Sequence, residues 1–286
     1  MKRSALLVFI VALFCISCRS PKSSESVQQV LSNDSVTVTD IHFYSAAING
    51  LLWYRVIVPN IGRKERLPVL YFLHGIDSDP AQVTRQSDIV KLAAATGLIV
   101  VMPSGGYSYY TNAKHRPHAR WEDVLMQDLP RDVKARFPVL SGREHTGIAG
   151  ISMGGYAAIK LGLKHPDVFA FVGDMSGPLD ITRRPASLRR WGQTWRIWTI
   201  FGFKPSARKD DDVFDLLDNA SDVQRGTWFE SCGRDDPMHA MNQRFTLRLQ
   251  ERGVNVNLLT TPSGHDWKAW NAAMPALFGA AGKALR

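Results

Sequence analysis

The feature that most constrains this chain is the stretch 146–155, Thr-Gly-Ile-Ala-Gly-Ile-Ser-Met-Gly-Gly. It predicts a short apolar strand that enters Gly150-x-Ser152-x-Gly154 and is followed by a helical pattern over residues 156–163. Such a sharp strand-to-helix turn pushes the serine hydroxyl outward, and the flanking glycines avoid backbone collisions. The first amides of the helix point at the same place, where they stabilise an oxyanion. The stretch therefore predicts an activated serine nucleophile.

The remainder of the chain predicts alternating strands and helices. It opens with two strands, 36–41 and 52–58, that a turn at Asn49-Gly50 joins into an antiparallel hairpin. Further strands are predicted at 68–73, 98–102, 169–175, 227–231 and 254–260, and further helices at 85–96 (closed by Gly97), 121–137, 238–252 and the C-terminus. This alternation is typical of an α/β fold with a mostly parallel central sheet and helices on both faces.

The candidate functional residues all follow the ends of predicted strands. They are Gly75-Ile76, the segment Tyr107 to Tyr110, Ser152, Asp236 and His265. In mostly parallel sheets, ligands bind beyond the carboxyl ends of the strands. The shared position favours one site at that edge of the sheet.

A serine nucleophile needs a base, and three histidines follow Ser152 in the chain. His165 stands in Lys-His-Pro, where the helix after the serine must end. His239 falls in the first turn of a helix. His265 follows Gly264 in a loop between the last strand and the last helix, where an imidazole can reach the serine. We predict that His265 is the base.

The base in turn needs a carboxylate, and the chain order serine, acid, histidine points to the loop after strand 227–231. Asp235 and Asp236 both stand in that loop, and their positions alone do not separate them. Asp174 comes too early in the order of strands. Asp266 is adjacent to His265 in sequence and is expected to point away from it.

Four separated motifs, taken together, resemble one known family. They are His74-Gly75-Ile76, Gly150-Ile-Ser-Met-Gly-Gly155, Cys232-Gly-Arg-Asp-Asp236 and Pro262-Ser-Gly-His-Asp-Trp267-x-x-Trp270. The chain from Val36 onward is similar to the esterase D group of α/β-hydrolases. That group includes S-formylglutathione hydrolases, feruloyl and acetyl xylan esterases, tributyrin-type esterases and mycolyltransferases. The resemblance implies the α/β-hydrolase fold.

The resemblance also implies the role of each site residue. The family pattern Cys-Gly-x-x-Asp selects Asp236 over Asp235, with Ser152 as nucleophile and His265 as base. The family's oxyanion donors correspond to the backbone amides of Ile76 and Met153. The implied activity is hydrolysis of small-molecule or carbohydrate esters (short-chain, acetyl-carbohydrate or feruloyl) without a cofactor. An acyltransferase with the same three residues, and a non-catalytic carbohydrate- or lipid-binding relative, are the alternatives.

An insert at residues 178–225 is longer than a simple crossover requires. It is rich in basic residues (Arg183, Arg184, Arg189, Arg190, Arg196, Lys204, Arg208 and Lys209), and Trp191, Trp195 and Trp198 recur at helical spacing. One interpretation is a cap helix that packs its tryptophans on the body while its arginines face water. A second is a wall of the substrate pocket that favours acidic or polar esters. A third is contact with a membrane surface.

The N-terminus predicts export. Lys2 and Arg3 precede an apolar run, 5–16, and Ser17-Cys18 follows. This pattern is typical of a secretory signal peptide, 1–17, and its end resembles a bacterial lipobox in which Cys18 carries the lipid. Plain secretion and an uncleaved anchor are the alternatives. Residues 18–35 are polar and predict a tether, so the catalytic domain is expected over 36–286.

Charge and composition exclude several other classes of protein. The net charge is +9, and removing the two basic residues of the leader leaves +7, but the basic residues outside the insert are scattered and form no nucleic-acid module. Of the three cysteines only Cys232 falls in the folded body, so no disulfide framework is expected. His115 and His118 have no third ligand nearby, and no metal site is predicted.

Overall fold

The computed structural model describes residues 25–60, 65–185 and 191–285. Its strands are β1 (Ser26–Ser32), β2 (Val36–Ser45), β3 (Gly50–Pro59), β4 (Val69–Leu73), β5 (Ile99–Pro103), β6 (Thr146–Ile151), β7 (Phe171–Met175), β8 (Thr227–Gly233) and β9 (Leu258–Thr261). Its α-helices are α1 (Pro80–Gln86), α2 (Ile89–Thr96), α3 (Trp121–Asp123), α4 (Leu129–Arg136), α5 (Met153–Lys164), α6 (Trp191–Phe201), α7 (Val213–Asn219), α8 (His239–Glu251) and α9 (Trp267–Ala284).

The nine strands form one sheet in the order β1-β2-β3-β5-β4-β6-β7-β8-β9. The pairs β1–β2, β2–β3 and β3–β5 are antiparallel, and every other neighbouring pair is parallel. Asn49 takes a left-handed conformation (φ 53°) in the turn between β2 and β3, which its short polar side chain tolerates. The mostly parallel sheet with an antiparallel N-terminal hairpin is as predicted.

The sheet is buried because helices pack on both of its faces. All five residues of β4, of β5 and of β7 are buried, which explains their continuous apolar sequences. One core lies between the sheet and α4, α5 and α8, and the other lies between the sheet and α1, α2 and α9. This arrangement fixes the carboxyl ends of β4 to β9 along one edge.

Several predicted helices differ from the structure in their boundaries. The expected helix 85–96 is two helices, because Ser87 takes an extended conformation (φ −140°, ψ 165°) between α1 and α2. The second ends as predicted at Gly97, which is left-handed (φ 68°) and donates to the Ala93 carbonyl. The expected helix 121–137 contains a π-helical turn, Val124–Asp128, between α3 and α4.

The predicted tether is wrong over part of its length. Residues 26–32 form β1, which pairs with β2 at the edge of the sheet. All seven residues of β1 are exposed, so the strand has no buried face and its sequence shows no apolar alternation. The predicted signal peptide 1–17 and Cys18 lie outside the described residues. Among the described residues, no helix has the length and hydrophobicity needed to cross a bilayer.

Candidate active site

Ser152 stands at the turn between β6 and α5, where the sequence predicts it. Its backbone is in an unfavourable left-handed region (φ 53°, ψ −117°), and its amide donates to the Met175 carbonyl at 2.8 Å. A side chain at Gly150 would overlap the backbone of Gly154, and one at Gly154 would overlap the Leu73 carbonyl oxygen. The motif therefore needs both glycines, since helix and strand approach too closely for a Cβ atom.

His265 reaches this serine from the loop between β9 and α9. Its Nε2 lies 2.8 Å from Ser152 Oγ, across 113 residues of sequence. Asp266 caps α9 by accepting from the Ala269 amide, so it points away from the imidazole as expected. Trp270, one turn into α9, presents its ring edge-to-face with His265 at a centroid distance of 5.2 Å. The helix start and the tryptophan together orient the imidazole.

Asp236 is the carboxylate that contacts His265. Its Oδ2 lies 2.8 Å from His265 Nδ1, and its Oδ1 accepts from the Met238 amide at 2.8 Å. The side chain is fully buried, whereas the neighbouring Asp235 is exposed. Burial opposes ionisation, but the hydrogen bonds from His265 and Met238 outweigh it and hold the pKa of Asp236 below its ordinary value. This carboxylate is therefore anionic and aligned with the ring nitrogen.

The loop after β4 lies beside the serine. A Cβ atom at Gly75 would lie 3.4 Å from Ser152 Cβ, so the residue before Ile76 contacts the serine turn. Met153 is the first residue of α5, and its amide has no acceptor within the helix. The two predicted oxyanion donors thus stand on the two segments that meet at Ser152.

His74 holds the β4 loop against the next loop, a role that the sequence analysis did not identify. Its Nε2 accepts from the Gly105 amide at 2.8 Å, so Nδ1 carries the proton and donates to the Gly75 carbonyl at 2.7 Å. Burial lowers the pKa of His74, which favours this neutral form. Because it fixes Gly75 and Gly105, His74 is structural support for the site. In the sequence, only the His74-Gly75 motif points to this supporting role.

The tyrosines after β5 pack against the beginning of α5. Tyr109 and Tyr110 are buried with positive φ (51° and 48°), and the Tyr109 amide donates to Met153 Sδ at 3.3 Å. Lys160 of α5 is fully buried and donates to the Tyr110 carbonyl at 3.0 Å, with Glu122 Oε2 3.2 Å away. Sequence reasoning missed this buried ion pair, since a lysine in a helix is ordinarily exposed.

The other candidate histidines and acids lie elsewhere. His165 ends α5 and contacts Glu122 Oε1 at 3.3 Å, in agreement with its predicted place at the helix terminus. His239 begins α8, and its Nε2 lies 3.2 Å from Thr260 Oγ1. Asp174 is completely buried in β7. Within the described ranges, no group of three or more metal-ligating side chains occurs.

The described residues of the insert between β7 and β8, 178–185 and 191–225, contain α6, α7 and three 3₁₀ turns. The interpretation that its tryptophans pack on the body is confirmed for Trp198, which is partly buried against the core, and wrong for Trp191 and Trp195, which are 50 % and 48 % exposed. Ile197 and Phe201 of α6 are buried in the same core. Arg196 lies over the ring of Tyr107, 4.5 Å from its centroid. Arg189 and Arg190 lie outside the described residues.

The other arginines of the insert stabilise its own structure. Arg183 pairs with Asp212 at 2.7 Å, and Arg184 pairs with Asp180 at 3.0 Å. Arg208 is buried and donates to backbone carbonyls, including that of Gly202 at 2.8 Å. These arginines therefore contribute more to packing inside the insert than to its solvent-exposed surface.

The fold and the serine turn define a protein of the α/β-hydrolase class. The sequence model of the esterase family described as "Putative esterase" matches residues 45–281, and the chain belongs to this family. It is a carboxylic ester hydrolase.

The chain is similar to several characterised proteins and solved structures. It is 28% identical over 214 residues to an acetyl esterase of Caldicellulosiruptor saccharolyticus, over 72% of this chain and 80% of the relative. The substrate-bound fluorophosphonate-binding serine hydrolase F of Staphylococcus aureus is 25% identical (TM-score 0.75; 87% of this chain, 99% of that chain). An S-formylglutathione hydrolase of Agrobacterium tumefaciens shares the fold at 18% identity (TM-score 0.76; 91% and 100%).

Proposed function

We propose that this protein hydrolyses carboxylic esters through an acyl-enzyme on Ser152, with His265 as the base and Asp236 as the orienting acid. The observation that carries the proposal is the pair of 2.8 Å contacts from His265, one to Ser152 Oγ and one to Asp236 Oδ2. A nucleophile, its base and a buried carboxylate in line are what acyl transfer at neutral pH requires.

In the first half of the reaction, Ser152 Oγ attacks the ester carbonyl as its proton passes to His265 Nε2. Asp236 accepts a hydrogen bond from Nδ1–H and stabilises the resulting imidazolium. The amides of Ile76 and Met153 bind the oxyanion, and losing one such donor typically costs about 3 kcal/mol of transition-state stabilisation. His265 then gives its proton to the leaving alcohol. Water attacks the acyl-enzyme in the second half, with His265 again taking the proton.

We further propose short-chain, acetyl-carbohydrate or feruloyl-type esters as substrates. The named activity of the Caldicellulosiruptor saccharolyticus relative supports a small acyl group. The insert supports a polar or acidic substrate, because Arg196 stacks on Tyr107 beside the tyrosine segment that contacts Met153. Arg196 makes no ion pair within residues 25–60, 65–185 and 191–285, so its charge is available to a ligand.

Hydrolysis of p-nitrophenyl acetate tests the proposed nucleophile. We expect Ser152→Ala to lower kcat/KM by at least about a thousandfold, as removal of a catalytic serine does elsewhere. Ser141→Ala is the matched control, since Ser141 is exposed and precedes β6 at the opposite end of the strand. Activity of the purified Ser152→Ala protein near that of wild type would refute the proposal.

A panel of esters that varies the acid and the alcohol separately identifies the substrate class. Free acid as the main product in the presence of added glycerol or sugar supports hydrolysis. Acyl transfer to the added alcohol, lost in Ser152→Ala, would instead establish the acyltransferase alternative with the same three residues.

We also propose that the protein is exported and anchored by a lipid on Cys18. The basic start, the apolar run 5–16 and the cysteine that follows the predicted leader support this. Metabolic labelling with a fatty-acid analogue is expected to mark the wild-type chain but not Cys18→Ser. Equal labelling of both chains, or none of the wild type, would contradict the anchor.

A further inference from the structure

Two carboxylic acids occupy neighbouring positions in the middle of the sheet. Asp174 of β7 pairs in register with Glu230 of β8, and both side chains are completely buried. None of their four carboxyl oxygens accepts a well-formed hydrogen bond among the described residues, and the nearest donor is the Gly177 amide beside Asp174. The buried Oδ1 of Asn242 in α8 also lacks a partner there, although its Nδ2 donates to the Gly177 carbonyl. Buried polar atoms are nearly always satisfied, so this cluster calls for an explanation.

The cluster lies directly behind the proposed catalytic residues. A Cβ atom at Gly155, in the first turn of α5, would overlap Asp174 Oδ1, and one at Gly177 would lie 2.7 Å from the same oxygen. The Asp174 carboxyl is therefore in contact with the helix that follows Ser152. Asp236 is close enough that its charge acts on Asp174.

The surroundings of the pair disfavour negative charge. Burial and the charge of Asp236 raise the pKa of Asp174, although the nearby Gly177 amide opposes this, and burial and Asp174 raise the pKa of Glu230. The buried Cys232 thiol is a further ionisable group nearby, and its pKa is also raised by burial. No cation acts on either acid within the part of the chain that the structure describes. An unpaired buried carboxylate takes up a proton instead of remaining charged.

We propose that Asp174 and Glu230 form a proton-holding carboxyl pair that supports the first turn of α5 and keeps the region behind Asp236 neutral. With a proton on each acid both carboxyl groups are neutral, and the O–H of one can donate to the carbonyl oxygen of the other, which supplies donors that the protein lacks. Neutrality matters because an anion against the first turn of α5 would offset the positive helix end that stabilises the oxyanion. This positioning role rests on the function proposed for Ser152, His265 and Asp236.

The neutral substitutions Asp174→Asn and Glu230→Gln, singly and together, test the pair. If the acids already hold protons, kcat/KM at pH 7 stays within about threefold of wild type and the acid limb of its pH profile does not move. If Asp174 were charged, its removal would lower the apparent pKa of that limb, because a negative charge stabilises a nearby imidazolium. A downward shift of the acid limb in Asp174→Asn would therefore overturn the proposal. Asp235→Asn, an exposed acid of the same region, is the control.

Thermal unfolding gives a readout that does not depend on catalysis. A group whose pKa is raised by folding contributes stability below its unfolded pKa, near 4, and loses it as pH rises toward the folded pKa. The Tm of the double variant relative to wild type should therefore increase between pH 5 and pH 9. A difference that is constant with pH would overturn the proposal.

Infrared spectroscopy of the wild-type protein tests the protonation of the two acids even if the variants do not fold. A carbonyl stretch of a protonated carboxyl group that persists at pH 7 supports the pair, and its absence refutes it. If Ser152→Ala remained active, the proposed function would be refuted, but the expected infrared and unfolding results would be unchanged. The two proposals can thus fail separately.

Discussion

Replacing Asp236 by Asn tests the most specific feature of the site. The Asp236 carboxylate accepts from His265 Nδ1 and from the Met238 amide, at 2.8 Å each. In Asp236→Asn the amide oxygen is expected to keep the bond from Met238, which leaves the NH₂ group facing Nδ1. Nδ1 must then be the acceptor, so the proton moves to Nε2.

A proton on Nε2 faces Ser152 Oγ across the present 2.8 Å contact, and this nitrogen can no longer act as a base. The same tautomer change in another serine hydrolase site lowers kcat about ten-thousandfold. At 1.36 kcal/mol per factor of ten, that is about 5 kcal/mol of transition-state stabilisation. We expect a loss of this order in kcat, with little change in KM, since Asp236 is buried beneath the imidazole.

Steady-state hydrolysis of p-nitrophenyl acetate measures this effect, with circular dichroism to confirm that the variant is folded. Asp235→Asn is the matched control, because Asp235 is adjacent in sequence but exposed to solvent. It should retain activity within about twofold, as exposed surface substitutions usually do. If folded Asp236→Asn kept more than a tenth of wild-type kcat, the tautomer argument would fail.

Three further predictions concern stability, the serine turn and substrate choice. Glu122→Gln removes the acid nearest the buried Lys160 ammonium, and chemical denaturation should show a loss of about 3 kcal/mol; a loss below about 1 kcal/mol would contradict the buried pair. Gly154→Ala places a methyl group on the Leu73 carbonyl, so soluble protein with wild-type kcat would contradict the close approach. Arg196→Gln should lower kcat/KM for the anionic ester p-nitrophenyl hemisuccinate about tenfold more than for the neutral acetate, which is the size of effect expected for one partly exposed ion pair with the substrate. Equal losses for the two esters would place Arg196 outside the substrate pocket.

Much of the fold follows from local patterns in the sequence. Continuous apolar runs predict β4 and β5 because strands covered on both faces have no polar side. Gly97 predicts the end of α2 because a left-handed residue closes a helix most easily without a Cβ atom. The Gly150-x-Ser152-x-Gly154 spacing predicts the serine turn for the same local, steric reason.

The errors fall where local pattern carries no information. The edge strand β1 has no buried face, so its sequence lacks an apolar alternation and was predicted to be a polar tether. Trp191 and Trp195 of α6 are half exposed although Trp198 packs on the core, and periodicity does not indicate how far a shared face is covered. The ionisable groups in the interior, Lys160 and the Asp174–Glu230 pair, occur in otherwise ordinary apolar segments and are recognisable only from their neighbours in space.

The sequence by itself predicted Ser152, His265 and the alternation of strands and helices that brings the loops carrying them to one edge of the sheet. Sequence position alone did not indicate whether Asp235 or Asp236 contacts the histidine, and only a family pattern favoured Asp236. The tertiary structure separates them in the turn that follows β8, where only Asp236 is buried. One side chain is turned into the protein toward the imidazole and the other into water. Local sequence sets which groups lie at a turn, but the packing of distant segments decides which of them meet.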